Sequence, residues 1–220
     1  AGQTCIAPDY LLVHSSVKAQ LISDLKSEII MAYGENPQKS ADYPRIVNSE
    51  HLSRLTNMLE DSRVVFGGEF DTEDYYLAPT LIDEPSTDSE VMKDEIFGPI
   101  LPILSYETES DIDSVLSKYD KPLGFYVFSN DTSFYKKMIE TYSFGGGAVN
   151  DTMVQFGNSK LPFGGVGESG IGAYHGRLGF DTFSHKKGIV IKANWIDISL
   201  RYAPYKNKLK KLKLLFKFLG

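Results

Sequence analysis

Apolar residues recur at every fourth position through Val17, Leu21, Leu25 and Ile29, which places them on one face of an amphipathic helix. Ahead of them, Tyr10-Leu11-Leu12-Val13 reads as a short buried strand between Pro8 and Ser15-Ser16, and Gly34-Glu35-Asn36-Pro37 ends the helix. A polar loop around Lys39 to Tyr43 precedes a second helix through Leu52, Leu55 and Leu59. Arg63-Val64-Val65-Phe66 and Tyr75 to Ile82 flank Gly67-Gly68 and predict a hairpin pair. Ile100 to Tyr106 is a further strand, in which Pro102 points to an edge or a bend. Thr108 and Asp111 predict a capping box opening a helix to about Lys118. Phe125 to Phe128 reads as a strand, and Asn130 with Asp131 caps a helix carrying Phe134, Met138, Ile139 and Tyr142. Gly145-Gly146-Gly147 is expected to close that helix before a strand begins at Ala148-Val149.

Strands alternating with helices of this length imply βαβ units, an α/β fold with a twisted, mostly parallel sheet flanked by helices. After Asn150 the pattern becomes glycine-rich and weakly periodic up to His185; Gly188 to Ile191 reads as a strand, with an extension from the core beyond it. The 220 residues, 42% apolar and 24% charged, suit one large domain or a domain with an appendage. No run of about 18 apolar residues encodes a transmembrane helix. With no signal peptide before Ala1 and a single thiol, the expected compartment is the reducing cytoplasm. Lys206 to Gly220 hold six lysines and no acid, and taking these from the net charge of −6 leaves −12 on the rest of the chain. So acidic a body argues against nonspecific nucleic-acid binding.

Cys5 is the only cysteine, which excludes an intrachain disulfide and a multi-cysteine zinc cage and leaves packing or nucleophilic chemistry. Its surroundings, Ala1-Gly2-Gln3-Thr4-Cys5, read as a small-residue turn entering a short helical or irregular stretch, where the N–H groups of a helix start would favour an ionised sulfur. His14, His51, His175 and His185 have neither an i, i+4 pair nor acidic companions at metal-ligand spacing, so no metal is expected and each histidine reads as structural. Gly165-Val166-Gly167-Glu168-Ser169-Gly170 matches G-x-G-x-x-G, but Pro162 just upstream disfavours the strand a pyrophosphate cradle needs, and the string reads as a tight glycine loop. In Asp94-Glu95-Ile96-Phe97-Gly98-Pro99 the Gly98-Pro99 pair makes a turn into the Ile100 strand. Glu95 is then either a solvated carboxylate or one held to accept hydrogen bonds from sugar hydroxyls, and Phe97 either core or a pocket wall.

Taken together and in order, Gly2-Gln3-Thr4-Cys5, Glu95-Ile96-Phe97-Gly98-Pro99 and Leu161-Pro162-Phe163-Gly164-Gly165 with Ser169-Gly170 resemble the nucleophile segment, the E-x-F-G-P motif and the substrate-channel loop of the aldehyde dehydrogenases. Tyr174-His175-Gly176 and Phe180-Asp181-Thr182-Phe183-Ser184-His185 resemble the class 3 branch, which includes the fatty aldehyde dehydrogenases. The resemblance implies the catalytic-domain fold of that family and NAD(P)-dependent oxidation of an aldehyde to a carboxylic acid through a cysteine thiohemiacetal and thioester. It makes Cys5 the nucleophile, with its own backbone N–H on the oxyanion; Glu95 the partner of the nicotinamide ribose; Phe97 the neighbour of the ring; and Phe163 a contact for the apolar part of the substrate. The cofactor it implies is NAD or NADP.

In the resembled family roughly half the chain precedes the nucleophile, carrying most of the dinucleotide-binding domain, an oxyanion amide and a water-activating glutamate. Only four residues precede Cys5 here, so the expectation is the thiol-bearing C-terminal portion, inactive without that half. The expected division is a catalytic domain over 1–185, an oligomerisation arm over 186–205 and a basic amphipathic tail over 206–220 whose apolar stripe runs through Leu209, Leu212, Leu215, Phe216 and Leu219. The arm implies a homodimer for the whole enzyme. The tail implies a cap or subunit contact ahead of weak peripheral membrane contact. Two alternatives are a non-enzymatic fragment that binds a partner subunit, and a cysteine esterase that needs no NAD.

Overall fold

A computed structural model describes every residue except Ile198, Asn207 and Gly220, with the side chains of Leu215, Phe218 and Leu219 also outside the description. The chain divides into two units, Ala1–Phe183 and Ser184–Gly220.

The first unit is built on a four-stranded sheet of β1 (Leu11–His14), β2 (Val64–Phe66), β5 (Thr80–Asp83) and β6 (Ile100–Tyr106), in the order β1-β6-β5-β2. β6 runs parallel to both β1 and β5, with Leu11 opposite Ile103 and Thr80 opposite Ile100, while β2 closes the edge antiparallel to β5. Alternation along these strands feeds two cores. Leu81 and Ile103, with Val13, pack against Leu21, Ile22, Leu25 and Ile29 of helix α1 (Ser15–Tyr33). Ile82, Ile100 and Leu104 pack against Leu52 and Leu55 of helix α2 (Ser49–Asn57), together with Leu77, Val91, Met92 and Ile96. The spacing of apolar residues thus predicted both helices, although Val17 is 53% exposed and Leu59 follows the end of α2.

Pro102 lies within central strand β6 and not at an edge or bend. The Thr80 N–H donates to Pro99 O and the Glu84 N–H to Ile103 O, so odd-numbered residues of β6 face β5, and the Pro102 nitrogen faces the side where β1 pairing starts only at Leu11 opposite Ile103. The missing N–H therefore costs no ladder bond. The expected hairpin is real as the β2–β5 pair, but it is interrupted by a small antiparallel pair, β3 (Phe70–Asp71) and β4 (Tyr76–Leu77). Gly67, at φ 72°, allows the crossing, because a Cβ there would lie 2.0 Å from Pro79 O.

A separate parallel pair, β7 (Gly124–Val127) and β8 (Gly146–Val149), is joined through helix α4 (Thr132–Thr141), with helix α3 (Glu109–Leu116) preceding it. Asp111 Oδ2 accepts from the Thr108 N–H at 2.8 Å, the predicted capping box, and Asp131 caps α4 through the Ser133 N–H. Ile112, Val127 and Met138 form the core between these elements. Gly146 and Gly147 do not close α4; they begin β8, where a Cβ on Gly147 would lie 2.0 Å from Phe125 O. Two short helices follow, α5 (Val154–Gly157) and α6 (Gly176–Thr182).

In the second unit no strand forms at Gly188 to Ile191, and Ile189, Val190 and Ile191 are 71%, 91% and 94% exposed. A strand exists only by pairing, and the described residues offer this one no partner. Helix α7 (Leu209–Leu219) carries the predicted stripe, on which Leu209 and Phe216 are exposed and Leu212 is half-buried. The side chains of Leu215 and Leu219 lie outside the described residues. Among the described residues no helix is long and apolar enough to cross a membrane.

Candidate active site

Cys5 is an exposed free thiol in a tight turn, closed by the Ala7 N–H donating to Thr4 O at 3.0 Å. Irregular backbone follows up to β1, so the irregular alternative holds and no helix starts at the sulfur. Three anchors fix the segment. The Gln3 side-chain amide bridges residues 45–47, donating to Arg45 O and accepting from the Val47 N–H, each at 3.0 Å. Ile6 is 3% exposed and its carbonyl accepts from the Tyr126 hydroxyl of β7 at 2.8 Å. Gly2, at φ 66°, approaches Gly98 so closely that a Cβ would lie 2.1 Å from Gly98 O. Only glycine tolerates that conformation and that approach together.

The last contact brings the Cys5 segment onto the Glu95–Pro99 turn. Asp9 strengthens it, its Oδ1 accepting from the Ile96 N–H at 2.9 Å. Burial raises the Asp9 carboxyl above its ordinary range, opposed by that backbone bond. Ile96 is a core residue at 1% exposure, whereas Glu95 and Phe97 on either side of it face outward. Phe97 adopts φ 53°, the left-handed region, which turns its ring out at 37% exposure.

Behind the turn stands α2. Arg54 donates from Nη1 to Glu95 O at 3.1 Å and from Nη2 to Ile96 O, and the His51 Nε2 bonds Phe97 O at 2.8 Å. Arg54 Nε donates to His51 Nδ1 at 3.3 Å. A carbonyl only accepts and a guanidinium only donates, so this arrangement requires the neutral His51 tautomer with hydrogen on Nε2. An open cleft of about 320 Å³ is lined by Asn48, Glu50, His51 and Arg54.

Phe163 sits half-buried in a loop bridged to Tyr174 by two backbone hydrogen bonds of 2.9 Å. Its ring meets Phe156 of α5 edge-on at 4.9 Å and stacks with His175 at 5.9 Å. From the residue before Phe156, Gln155 Nε2 donates to the Tyr126 hydroxyl at 3.0 Å, the same hydroxyl that holds Ile6. The loop thus connects to the Cys5 segment through α5 and β7, while the turn that bears Glu95 and Phe97 meets that segment directly through Gly98 and Ile96. The Gly165–Gly170 string is a self-closed turn: Ser169 Oγ accepts from the Val166 N–H and donates to Val166 O, each at 3.0 Å. Among the described residues no group of three or more His, Cys, Asp or Glu is placed to hold a metal.

Asp9, His51, Arg54 and Tyr126 were not singled out from the sequence as parts of this site. Their bonds to the Cys5 segment and to the Glu95–Pro99 turn are made to backbone groups, which leave no trace in residue identity. A signal did exist for the α2 pair: His51 and Arg54 share one helix face at i, i+3, beside the apolar Leu52 and Leu55.

The nicotinamide cofactor that the E-x-F-G-P resemblance implies can be tested against this geometry. An outward carboxylate that only accepts hydrogen bonds suits ribose hydroxyls, and the outward Phe97 ring beside it suits a flat heterocycle. The residues fit the nicotinamide ribose end of a dinucleotide. The self-closed Gly165–Gly170 turn does not fit its pyrophosphate.

Comparison with known proteins identifies the family and the fold. The family model "Aldehyde dehydrogenase family" matches residues 1–189. The chain is 48% identical over 219 residues to a 4,4'-diaponeurosporen-aldehyde dehydrogenase of Staphylococcus aureus, covering 99% of this chain and 48% of that protein. It is 45% identical over 191 residues to mouse aldehyde dehydrogenase family 3 member A2, covering 87% and 40% respectively. The solved substrate-bound state of a Staphylococcus aureus AldH superposes with a TM-score of 0.88 at 47% identity, covering 98% of this chain and 48% of that one. The chain spans less than half the length of these relatives. With its α/β fold, its exposed thiol beside the Glu95–Pro99 turn and this match over most of its length, the chain belongs to the aldehyde dehydrogenase family.

Proposed function

We propose that this chain carries the thiol, the cofactor turn and the substrate loop of an NAD(P)-dependent aldehyde dehydrogenase that oxidises an aldehyde to a carboxylic acid. The observation that carries the reading is the backbone approach of Gly2 to Gly98, which seats exposed Cys5 beside the turn bearing Glu95 and Phe97. In this reading the Cys5 thiolate adds to the aldehyde carbon, forming a C–S bond as the carbonyl electron pair moves to oxygen. The Cys5 backbone N–H steadies that oxyanion. A nicotinamide held beside Glu95 and Phe97 would supply the hydride acceptor, so that loss of hydride from the thiohemiacetal carbon leaves a thioester on Cys5. Water then cleaves the thioester, releasing the acid and the thiol. Glu95 accepts from ribose hydroxyls, Phe97 packs beside the ring, and Phe163 with its aromatic neighbours receives the apolar part of the substrate. Residues 186–205 pair with a second chain, which would give the exposed Ile189–Ile191 segment its missing strand partner.

The test is aldehyde-dependent NAD(P)H formation by the active protein, either this chain or a longer polypeptide containing it, compared with its Cys5→Ser variant. Turnover should fall by a factor of at least about a thousand, because a hydroxyl is a far poorer nucleophile at neutral pH. Unchanged turnover refutes the assignment. The short span relative to the matched proteins favours a second reading, in which the chain alone is a partner-binding fragment without activity. Dehydrogenase activity of the purified 220 residues, with no other polypeptide present, excludes it.

A further inference from the structure

We propose that His51 and Arg54 are positioning residues for the cofactor turn. By donating to three consecutive backbone carbonyls, those of Glu95, Ile96 and Phe97, they hold Glu95 and Phe97 facing outward. The inference rests on the cofactor assignment of Glu95 and Phe97 made above. Three observations carry it. First, α2 is already anchored by Leu52 and Leu55, at 2% and 0% exposure, so its packing does not require the two polar side chains. Second, all the described donors to those three carbonyls come from α2, and among the described residues no backbone N–H serves them. Third, Phe97 holds a left-handed φ of 53°, which a non-glycine residue keeps only where its surroundings over-determine it. The Arg54 Nε–H to His51 Nδ1 bond joins the two side chains into one clamp and sets the tautomer that His51 needs. Asp9 grips the opposite side of the same peptide run through the Ile96 N–H. Neither His51 nor Arg54 needs to touch the cofactor to act in this way.

The variant of choice is Arg54→Met, which keeps the apolar stem and removes the donors. Steady-state kinetics of the active protein should show the KM for NAD(P) raised about tenfold, with the aldehyde KM and the rate of Cys5 alkylation by iodoacetamide within about twofold of wild type. Arg54→Lys retains one donor and should fall between the two. In parallel, the Ile96 amide should exchange about tenfold faster in Arg54→Met, while the Ile103 amide in β6 keeps its protection. Cofactor KM within twofold of wild type overturns the proposal, as does an equal shift in aldehyde KM and alkylation, which marks a general loss of structure. If Arg54→Met loses Ile103 protection, Arg54→Lys and His51→Gln decide by the same criteria. Glu95→Gln separates the two levels: an unchanged cofactor KM there refutes the cofactor assignment, while unchanged Ile96 exchange in Arg54→Met refutes the clamp whatever Glu95 does.

Discussion

The seat of the Glu95–Pro99 turn on α2 yields a quantitative prediction at Gly98 and Leu55. Leu55 is fully buried, and a Cβ built on Gly98 would lie 2.6 Å from both of its methyl carbons and 3.2 Å from Cγ. Ordinary carbon contacts fall at about 3.5–4.0 Å, so Gly98→Ala drives a methyl roughly 1 Å into two packed atoms. Overpacking of this kind costs about 1–3 kcal/mol. Leu55→Ala removes three carbons worth about 0.8 kcal/mol each, so about 2.4 kcal/mol of transfer free energy, and the cavity left behind brings the total to about 3–4 kcal/mol. In the double variant the methyl introduced by Gly98→Ala enters space vacated by Leu55, so the combined loss should fall short of the sum by at least about 1 kcal/mol. Urea denaturation of the three variants and wild type, with equal slopes as the check on two-state behaviour, gives the cycle. Additivity within about 0.5 kcal/mol would refute the contact, since the two positions would then not compete for the same volume.

Two further predictions concern protons. Burial raises the Asp9 carboxyl above its ordinary 3.8, so folding favours its neutral form. Stability therefore declines as pH rises from about 3.8 to the native value and stays at the lower level beyond it. Asp9→Asn keeps an oxygen acceptor for the Ile96 N–H and should melt higher than wild type at pH 7, with the gap closing in acid; a lower melting point at pH 7 contradicts this. Burial, then the Asp113 carboxylate that accepts its hydroxyl, pushes Tyr142 up to about 12 from 10.0. Its contribution is complete below pH 10 and is lost as pH rises through about 12. Phenolate absorbance should show one fewer late-titrating tyrosine in Tyr142→Phe, whose thermal stability should decline less between those limits; identical alkaline profiles would count against it.

Most of the helical framework was legible because burial of a helix face imposes a spacing, as Leu21, Leu25 and Ile29 show against the α1 core and Leu52 and Leu55 against the α2 core. Caps were legible for a similar reason: Asp111 and Asp131 satisfy local N–H groups that lie two to four residues away. Long-range backbone geometry was not. Pro102 is acceptable in a central strand only because β1 begins one residue too late to need its N–H, a fact of register and not of propensity. Gly145–Gly147 read as a helix stop, but Gly145 and Gly147 serve close backbone approach; a Cβ on Gly145 would lie 2.5 Å from Gly164 O, in the loop that carries Phe163. Cys5, Glu95, Phe97 and Phe163 came from motif resemblance, whereas the α2 clamp acts on peptide carbonyls that any residue would offer.

Strand topology explains why segments ninety positions apart meet. Cys5 lies six residues before β1 and Glu95 five residues before β6, and these two strands are adjacent and parallel. Parallel pairing puts both strand beginnings at the same edge of the sheet, so the two lead-ins must run side by side. The Asp9–Ile96 hydrogen bond and the Gly2–Gly98 approach are the local expression of that constraint. Across the other flank, Tyr126 of β7 holds Ile6, so the thiol segment lies between the main sheet and the β7–β8 pair that leads to the Phe163 loop. The position of the sulfur is therefore set by β1–β6 register more than by its own short turn, and a change in that register would move Cys5 and Glu95 relative to each other before it disturbed either one alone.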